Sequence, residues 1–191
     1  MKKILWILLL AALAIPAFGQ QKQQIGSVVV EGFKDLSVSK NQVTLSGPRV
    51  YIRTNDGKLE AKAQKIVIKF GPGGAQGGMG SLKSATLMGD VWMLSRLEKD
   101  KLTEARASSA DIDWAGARQA VLNGNVQIES TDPSMFAEPL TITADKATVN
   151  LKPDTELKEG ETRIRIESDP GKSKLQFTPV VKPETEENKQ D

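Results

Sequence analysis

Three segments of this chain repeat one short pattern, and this repetition limits the possible fold more than any other feature of the sequence. The copies begin at Val43, Ala85 and Ala120, and each places a leucine two residues later and a glycine two residues after that. Each copy leads into an alternating apolar strand and later into an alanine-led apolar segment. Such repeats are typical of stacked β-units that share one apolar face. The sequence therefore predicts a stack of similar β-units that build a groove or a sandwich.

Apolar residues recur at every second position along most of the chain, and the spacing of an amphipathic helix is almost absent. We therefore predict an all-β fold in which glycine, proline, asparagine and aspartate mark the turns. The predicted strands cover residues 27–32, 35–39, 42–53, 59–70, 84–96, 102–114, 119–130, 140–151 and 162–168.

The alanine-led segments begin at Ala63, Ala107 and Ala144 and carry apolar or small residues at offsets of zero, three, five and seven. Because strand side chains alternate between faces, a spacing of three keeps apolar residues on one face only where the strand bends or bulges. All three copies thus predict a bend at the same place, as in a sheet folded over so that its halves face each other. In the first repeat, Pro48 and Arg49 displace the next valine, which predicts a local bulge or an edge position.

The N-terminus has the layout of an export signal. Lys2 and Lys3 precede an apolar run, and a small-residue segment ends at Gly19. The apolar run to Phe18 spans about 22 Å as a helix, whereas the hydrocarbon of a bilayer is about 30 Å thick. We therefore predict a cleavable signal peptide over residues 1–19 and a periplasmic location, with a retained membrane anchor as the alternative.

The rest of the chain is predicted to form one domain with a polar tail. Residues 20–168 are long enough for one sizeable β-core. A glycine-rich stretch after Phe70 lacks the Gly-Lys-Ser/Thr ending of a phosphate-binding loop and is predicted to be a surface loop. From Asp169 the composition turns to proline, lysine and glutamate, so residues 169–191 are predicted to be disordered.

Composition excludes several classes of function. The chain has 26 Lys and Arg against 24 Asp and Glu, and loss of Lys2 and Lys3 with the signal balances the two signs, so nucleic acid is not an expected partner. Without cysteine or histidine, disulfide scaffolds, the usual zinc sites and histidine-based triads are excluded. Asp111 and Asp113 fit a solvated strand face better than a catalytic pair. We predict no enzymatic activity, no catalytic residue, no metal and no cofactor; an exported hydrolase would need a Ser–Lys or carboxylate site that the sequence does not display.

Two motifs and their repetition resemble a known family. The segment from Leu122 to Val126 reads Leu-x-Gly-Asn-Val, and the segment from Ile142 to Ala147 reads Ile-Thr-Ala-Asp-Lys-Ala. Both resemble the OstA-like, or LptA, family of periplasmic bridge proteins of lipopolysaccharide transport. The resemblance extends from about Val28 to Leu151. The LptC-like members, which keep an N-terminal membrane anchor, are the alternative relatives.

This resemblance implies a fold, a cargo and partners. The implied fold is an open, V-shaped β-jellyroll whose interior receives the acyl chains of lipopolysaccharide or a related lipid. The implied partners are inner-membrane and outer-membrane transport components with like domains, together with further copies of the chain in an end-to-end homo-oligomer formed by strand pairing. The alternative function is an envelope scaffold or protein-interaction domain with a closed core and no lipid.

The predicted lipid site is the apolar face of the repeats. Alternation alone favours a closed core, because most β-sandwich faces pack against themselves, whereas the resemblance favours a slot for acyl chains. The predicted groove residues are Leu45, Val50, Ile52, Ile66, Ile68, Leu87, Val91, Met93, Ile112, Trp114, Leu122, Val126, Ile128, Ile142, Val149 and Leu151.

The opposite face carries aromatic and basic residues. Tyr51 and Trp92 occupy equivalent places in their repeats and should point away from the groove. They are predicted to form a cross-strand aromatic pair, with an outer-face contact to a partner or a sugar as the alternative. Scattered basic residues are predicted to protect sheet edges from aggregation, with contacts to lipid phosphates as the alternative. These basic residues are Lys62, Lys65, Arg96, Lys99 and Lys101.

Overall fold

The computed structural model describes residues 22–25, 28–72, 82–98, 100–133 and 136–180, and most of them form antiparallel β-strands. The strands are β1 (Lys22–Ile25), β2 (Val28–Glu31), β3 (Asp35–Ser39), β4 (Gln42–Thr54), β5 (Leu59–Phe70), β6 (Leu82–Glu98), β7 (Lys101–Asp113), β8 (Gln119–Thr131), β9 (Phe136–Asn150), β10 (Ile164–Glu167) and β11 (Lys174–Pro179). The predicted signal peptide and most of the glycine-rich stretch lie outside the described residues. No helix in the described part of the chain is long and apolar enough to cross a membrane.

All eleven strands belong to one sheet, in which β4 to β9 follow each other as antiparallel neighbours. The two outermost long strands each carry two short partners. On β4, β3 pairs with residues 42–46 and β2 pairs with residues 51–54. On β9, β11 pairs with the first half of the strand and β10 pairs with residues 146–149. This division into halves means that the sheet has two parts, each with its own edge strands.

We call these two parts wall A and wall B. Wall A consists of β3, β10 and residues 42–46, 65–70, 82–88, 109–113, 119–123 and 146–150 of the long strands. Wall B consists of β1, β2, β11 and residues 50–54, 59–63, 91–98, 101–107, 126–131 and 136–144. Apolar residues of both walls are buried in one core, as expected for walls that face each other.

A row of bulges forms the corner between the walls. Every pair of neighbouring long strands shifts its register there, as between Asn123 and Val126 where β8 pairs with β9. Gly124 has a φ of +75°, and the next residue, Asn125, is also left-handed with a φ of +50°. A β-carbon on Gly124 would lie 2.8 Å from the Oγ atom of Ser108, so the left-handed conformation and the close Ser108 side chain both favour glycine there. The bend predicted from the alanine-led segments is therefore confirmed, as is the bulge near Pro48.

The predicted fold class, an all-β open V-shaped β-jellyroll built from repeated strand pairs, is confirmed. Within the described residues, the strands at one end of the sheet do not pair with those at the other, so the sheet remains unclosed. Most of the buried side chains lie between the walls, and the core holds very few polar groups. The apolar alternation seen in the sequence is thus the pattern of the two inner faces.

The ends of the chain differ from the sequence prediction. Strand β1 was not predicted, and β11 lies inside the segment that was predicted to be disordered. The prediction of a disordered tail is wrong for Lys174–Pro179, because the exposed edge of β9 satisfies the backbone groups of β11 despite its polar composition. Residues 181–191 of the predicted tail lie outside the described residues.

Candidate binding site between the two walls

The structure places every predicted groove residue in the core or packed against it. Near the corner these side chains fill the space between the walls. Leu45, Ile66, Leu87 and Leu122 have no exposed surface at all, and Val126 on the other side of the corner is 1% exposed. Around the corner, the predicted slot is therefore packed hydrophobic core.

Farther from the corner, two cavities lie among residues from the ends of both walls. A first cavity of about 510 Å³ lies between the C-terminal parts of the two walls. Its apolar lining comes from β9, β10 and β11, and its polar lining comes mainly from the ends of β6 to β9 and from the loop after β9. The apolar lining residues are Phe136, Leu140, Ile142, Val149, Ile164, Ile166 and Leu175.

A second cavity of about 440 Å³ lies between the turn after β4 and the turn after β7. Leu59, Leu82, Trp114, Leu151 and Pro153 supply its apolar surface. Polar groups at its rim include Asp56, Lys58 and Arg118. Of the predicted groove residues, Ile142 and Val149 line the first cavity and Trp114 and Leu151 line the second.

The turn at the rim of the second cavity is held by one buried threonine. The Oγ1 atom of Thr54 donates to Oδ1 of Asp56 at 2.6 Å and accepts a hydrogen bond from the backbone N–H of Leu59. Burial alone would raise the pKa of Asp56, but hydrogen bonds from Thr54 and from the backbone N–H of Lys58 hold that pKa below its usual value. Asp56 therefore stays ionised and fixes this end of wall B.

The loop from residue 151 to residue 163, which we call the crossing loop, connects β9 to β10 and contributes to both cavities. Its base is closed by a hydrogen bond from the backbone N–H of Asn150 to the carbonyl of Arg163 at 2.8 Å. At its far side, the Oδ2 atom of Asp154 lies 2.6 Å from the Nζ atom of Lys101, the first residue of β7 in wall B. The crossing loop is therefore fastened across the gap between the walls.

Four charged side chains lie together in the lining of the first cavity, and we call this part of the lining its mouth. Asp154 also pairs with the guanidinium of Arg163, and Lys101 pairs with Asp132 at 3.1 Å. All four side chains line the cavity. Two cations and two carboxylates thus leave this part of the cavity without net charge, and seven apolar residues belong to the same lining.

Sequence reasoning missed most of the apolar lining. The alternation of Ile164 and Ile166 predicted a strand but did not show that β10 pairs with β9 and so borders a cavity. Leu175 lay in the predicted tail. The available signal was the apolar alternation itself, and the missing information was the register of the end strands.

The basic residues are not explained by edge protection. Lys62 and Lys65 lie on β5, which is paired on both sides, so the prediction that they protect a sheet edge is wrong. Of this set, Lys101 lies at the mouth of a cavity and Arg96 pairs with Glu60. Lys99 lies outside the described residues.

Tyr51 and Trp92 lie on the outer face of wall B but do not form a direct pair, because β5 separates their strands. Lys62 lies between them, with its Nζ atom 4.3 Å from the ring centroid of Trp92 and 5.7 Å from that of Tyr51. Burial and a hydrogen bond from the Tyr51 hydroxyl to Glu60 raise the pKa of Tyr51 to about 12. The prediction of a cross-strand aromatic pair is therefore wrong, and the cluster is held together by a cation.

The aspartates of β7 have structural partners. Asp111 accepts a hydrogen bond from Thr86 at 2.8 Å. Asp113 accepts the backbone N–H groups of Gly116 and Ala117, and these bonds lower the pKa of its carboxyl. No cluster of three or more potential metal ligands occurs among the described residues.

No family model matches the sequence, and no curated protein is similar enough to match it. In structure, the chain is similar to LptH of Pseudomonas aeruginosa, the LptA-homologous periplasmic component of the lipopolysaccharide transport device. The two chains share 11% sequence identity with a TM-score of 0.55, and the match covers 84% of this chain and 98% of LptH. The fold is therefore that of an LptA homologue, in agreement with the motifs of the sequence.

Proposed function

We propose that this protein is a periplasmic lipid carrier that holds the acyl chains of lipopolysaccharide between its walls and bridges the inner and outer membranes in lipopolysaccharide transport. The observation that carries this proposal is the pair of cavities with partly apolar linings at the ends of the walls. The similarity of its fold to a periplasmic transport component supports the same role. In this role the protein binds and passes on its cargo without catalysis.

The sizes of the cavities fit hydrocarbon cargo. Volumes of about 510 and 440 Å³ lie within the usual range for small-molecule sites, about 300–1,000 Å³. Each methylene removed from water contributes about 0.8 kcal/mol, so an acyl chain of about ten carbons gains at most roughly 8 kcal/mol before the cost of ordering. Since the sequence has no nucleotide-binding motif, the energy for directed transport comes from partners.

The ends of the sheet fit end-to-end assembly. Strands β1 and β3 lie at one end and β10 and β11 at the other. Val38 on β3 is 64% exposed and Phe177 on β11 is 51% exposed, so both ends present apolar side chains beside a strand edge. Pairing of one end with the opposite end of a second copy gives an open homo-oligomer, and the same pairing would join like domains of membrane components.

The carrier proposal is tested on the mature chain, from residue 20 onward. The purified protein should yield bound lipid in mass spectrometry, and lipopolysaccharide should displace a fluorescent fatty-acid probe from it. Substituting Leu140→Asn and Ile166→Asn together places amides in the first cavity and should weaken probe binding about tenfold or more, since 1.4 kcal/mol is a factor of ten. Val38→Asn, on the outer edge, is the matched control and should bind normally. A folded wild-type protein that binds neither probe nor lipid would contradict the proposal.

Assembly is tested separately. We expect the wild-type protein to associate with rising concentration in sedimentation experiments. Val38→Pro on β3 should reduce this association, because proline cannot continue the hydrogen-bonding pattern of a strand. The same substitution should leave lipid binding by the monomer unchanged. Concentration-independent monomers of the wild-type chain would count against end-to-end pairing.

One observation favours the second candidate, an envelope scaffold or protein-interaction domain without lipid. The walls are in full contact around the corner, where Leu45, Ile66 and Leu122 have no exposed surface. Such a core needs no cargo for its stability. In that case the double substitution Leu140→Asn and Ile166→Asn would change binding of a protein partner or nothing measurable, and no lipid would accompany the purified protein.

A further inference from the structure

The crossing loop divides the space between the walls. Leu151 and Pro153 face the second cavity, whereas Asp154 and Arg163 face the first. Two ion pairs fasten the loop: Asp154 to Lys101 and Glu156 to Arg118. The two cavities therefore meet at a segment whose position depends on side-chain charges.

The fastening at Asp154 is weak. The side chains of Lys101 and Asp154 are 36% and 43% exposed, and ion pairs with this much exposure contribute little to stability. By contrast, the base of the loop is held by a backbone hydrogen bond from Asn150 to Arg163, by a hydrogen bond from the Arg163 guanidinium to the carbonyl of Asn150, and by a pair between Lys152 and Glu161 at 2.9 Å. The contacts at the base of the loop do not involve Asp154 and can therefore persist when Asp154 leaves Lys101.

The two cations would remain at the mouth if Asp154 left. Arg163 also donates to the carbonyl oxygen of Asn150 at 2.8 Å, and Lys101 also pairs with Asp132 at 3.1 Å. With Asp154 in place the four charges balance, and without it the mouth gains one net positive charge. An apolar cavity with a positive mouth is complementary to an amphiphile that has an alkyl chain and an anionic group.

We propose that Asp154 occupies the place of the anionic group of the cargo, and that an anionic amphiphile displaces Asp154 from Lys101 and Arg163, releases the Asp154 side of the crossing loop from wall B and joins the two cavities. This inference rests on the proposed carrier function. The same phosphate or carboxylate chemistry occurs in a lipid headgroup and in a free anion, and we commit to the amphiphile because seven of the residues that line the cavity are apolar.

The test compares three ligands of the mature full-length chain by calorimetry: dodecyl phosphate, dodecyl maltoside and inorganic phosphate. Asp154→Asn should strengthen binding of dodecyl phosphate by about three- to fivefold and leave dodecyl maltoside unchanged. Asp132→Asn is the matched control, because it adds the same charge at the mouth but keeps the loop fastened. Lys101→Met should weaken binding of dodecyl phosphate only.

Movement of the loop is measured directly. Because the chain has no cysteine, two labels can be attached at Thr155→Cys in the crossing loop and at Glu129→Cys on wall B. The distance between these two labels then reports the position of the loop relative to wall B. Dodecyl phosphate should lengthen this distance in the wild-type background, and Asp154→Asn should lengthen it without ligand, whereas Asp132→Asn should not.

The other possible results of these experiments overturn either the carrier function or the loop inference. If neither dodecyl phosphate nor dodecyl maltoside binds the folded protein, the carrier function fails and the loop inference fails with it. If both detergents bind but Asp154→Asn changes neither affinity nor distance, only the loop inference is overturned. Equal effects of Asp154→Asn and Asp132→Asn refute displacement of the loop, and competition by inorganic phosphate at the same concentration as dodecyl phosphate refutes an amphiphile site.

Discussion

The Nζ atom of Lys101 lies 2.6 Å from the Oδ2 atom of Asp154, and this contact joins the start of a strand in wall B to a loop that leaves wall A. The two residues are 53 positions apart in the chain. The contact lies in the lining of the larger of the two described cavities. It therefore connects wall B to the crossing loop beside that cavity.

The strength of this contact can be measured with a double-mutant cycle. Lys101→Met, Asp154→Asn and the combined variant should give a coupling energy of roughly 0.2–1 kcal/mol in urea unfolding, since both side chains are partly exposed. The more exposed pair of Lys172 and Asp169 is the control and should give a smaller coupling. A coupling well above this range would mean that the pair is a rigid fastening and that the crossing loop is not easily displaced.

Core packing should differ between the corner and the cavities. Leu122→Ala should cost about 2–5 kcal/mol of unfolding free energy, because this side chain is fully buried. Leu140→Ala, at a half-buried residue that lines the first cavity, should cost about 1 kcal/mol or less. Urea unfolding of both variants gives the comparison. Similar small costs at both sites would indicate that the open groove extends to the corner.

The corner should depend on glycine at position 124. Gly124→Ala should destabilise the fold by more than the roughly 1–2 kcal/mol of left-handed backbone strain, because the new β-carbon would also meet the Ser108 side chain. Gly57→Ala is the matched control: its φ of +67° is similar, but no atom lies within 4 Å of the added carbon. Equal losses in thermal or urea unfolding would show that space at the corner does not matter.

Asp113 should make stability depend on acid pH. Hydrogen bonds from the backbone of Gly116 and Ala117 lower the pKa of Asp113 in the folded protein. Its contribution to stability is therefore complete above the unfolded pKa, about 3.9, and is lost as the pH falls through the lower folded pKa. The stability difference between wild type and Asp113→Asn should accordingly shrink as the solution is acidified. A difference that stays constant between neutral and acid pH would refute this role.

Tyr51 offers a direct test of the outer cluster, because it is the sole tyrosine of the chain. Spectrophotometric titration should give a pKa of about 12 in the folded protein and about 10 in denaturant. Glu60→Gln should lower the folded value only partly, since burial, the largest single cause, remains. Because the folded pKa is raised, the stabilising contribution is present below about pH 10 and is lost as the pH rises towards the folded value. An ordinary pKa in the folded protein would mean that the ring is solvated.

The sequence predicted much of the sheet because the spacing of apolar residues along the chain indicates both strands and bends. The segment 59–70 was predicted with the bounds that β5 has in the structure. The offset of three at Ala144 predicted a bulge that the register of β8 and β9 confirms. Strand β11 was missed because a polar segment forms a strand only when a neighbouring edge accepts it, and that edge, β9, is determined by the rest of the fold.

The sequence by itself determined that this chain is a folded-over β-sheet with one apolar face, because alternation, glycine bulges and their repetition act between near neighbours. Only the tertiary structure decided which apolar residues pack against each other, as Leu122 does, and which line open space, as Ile142 does. That difference depends on the distance between the walls at each depth. The ion pair between Lys101 and Asp154 was likewise decided by the tertiary structure, since it forms only when the walls and the crossing loop have folded together.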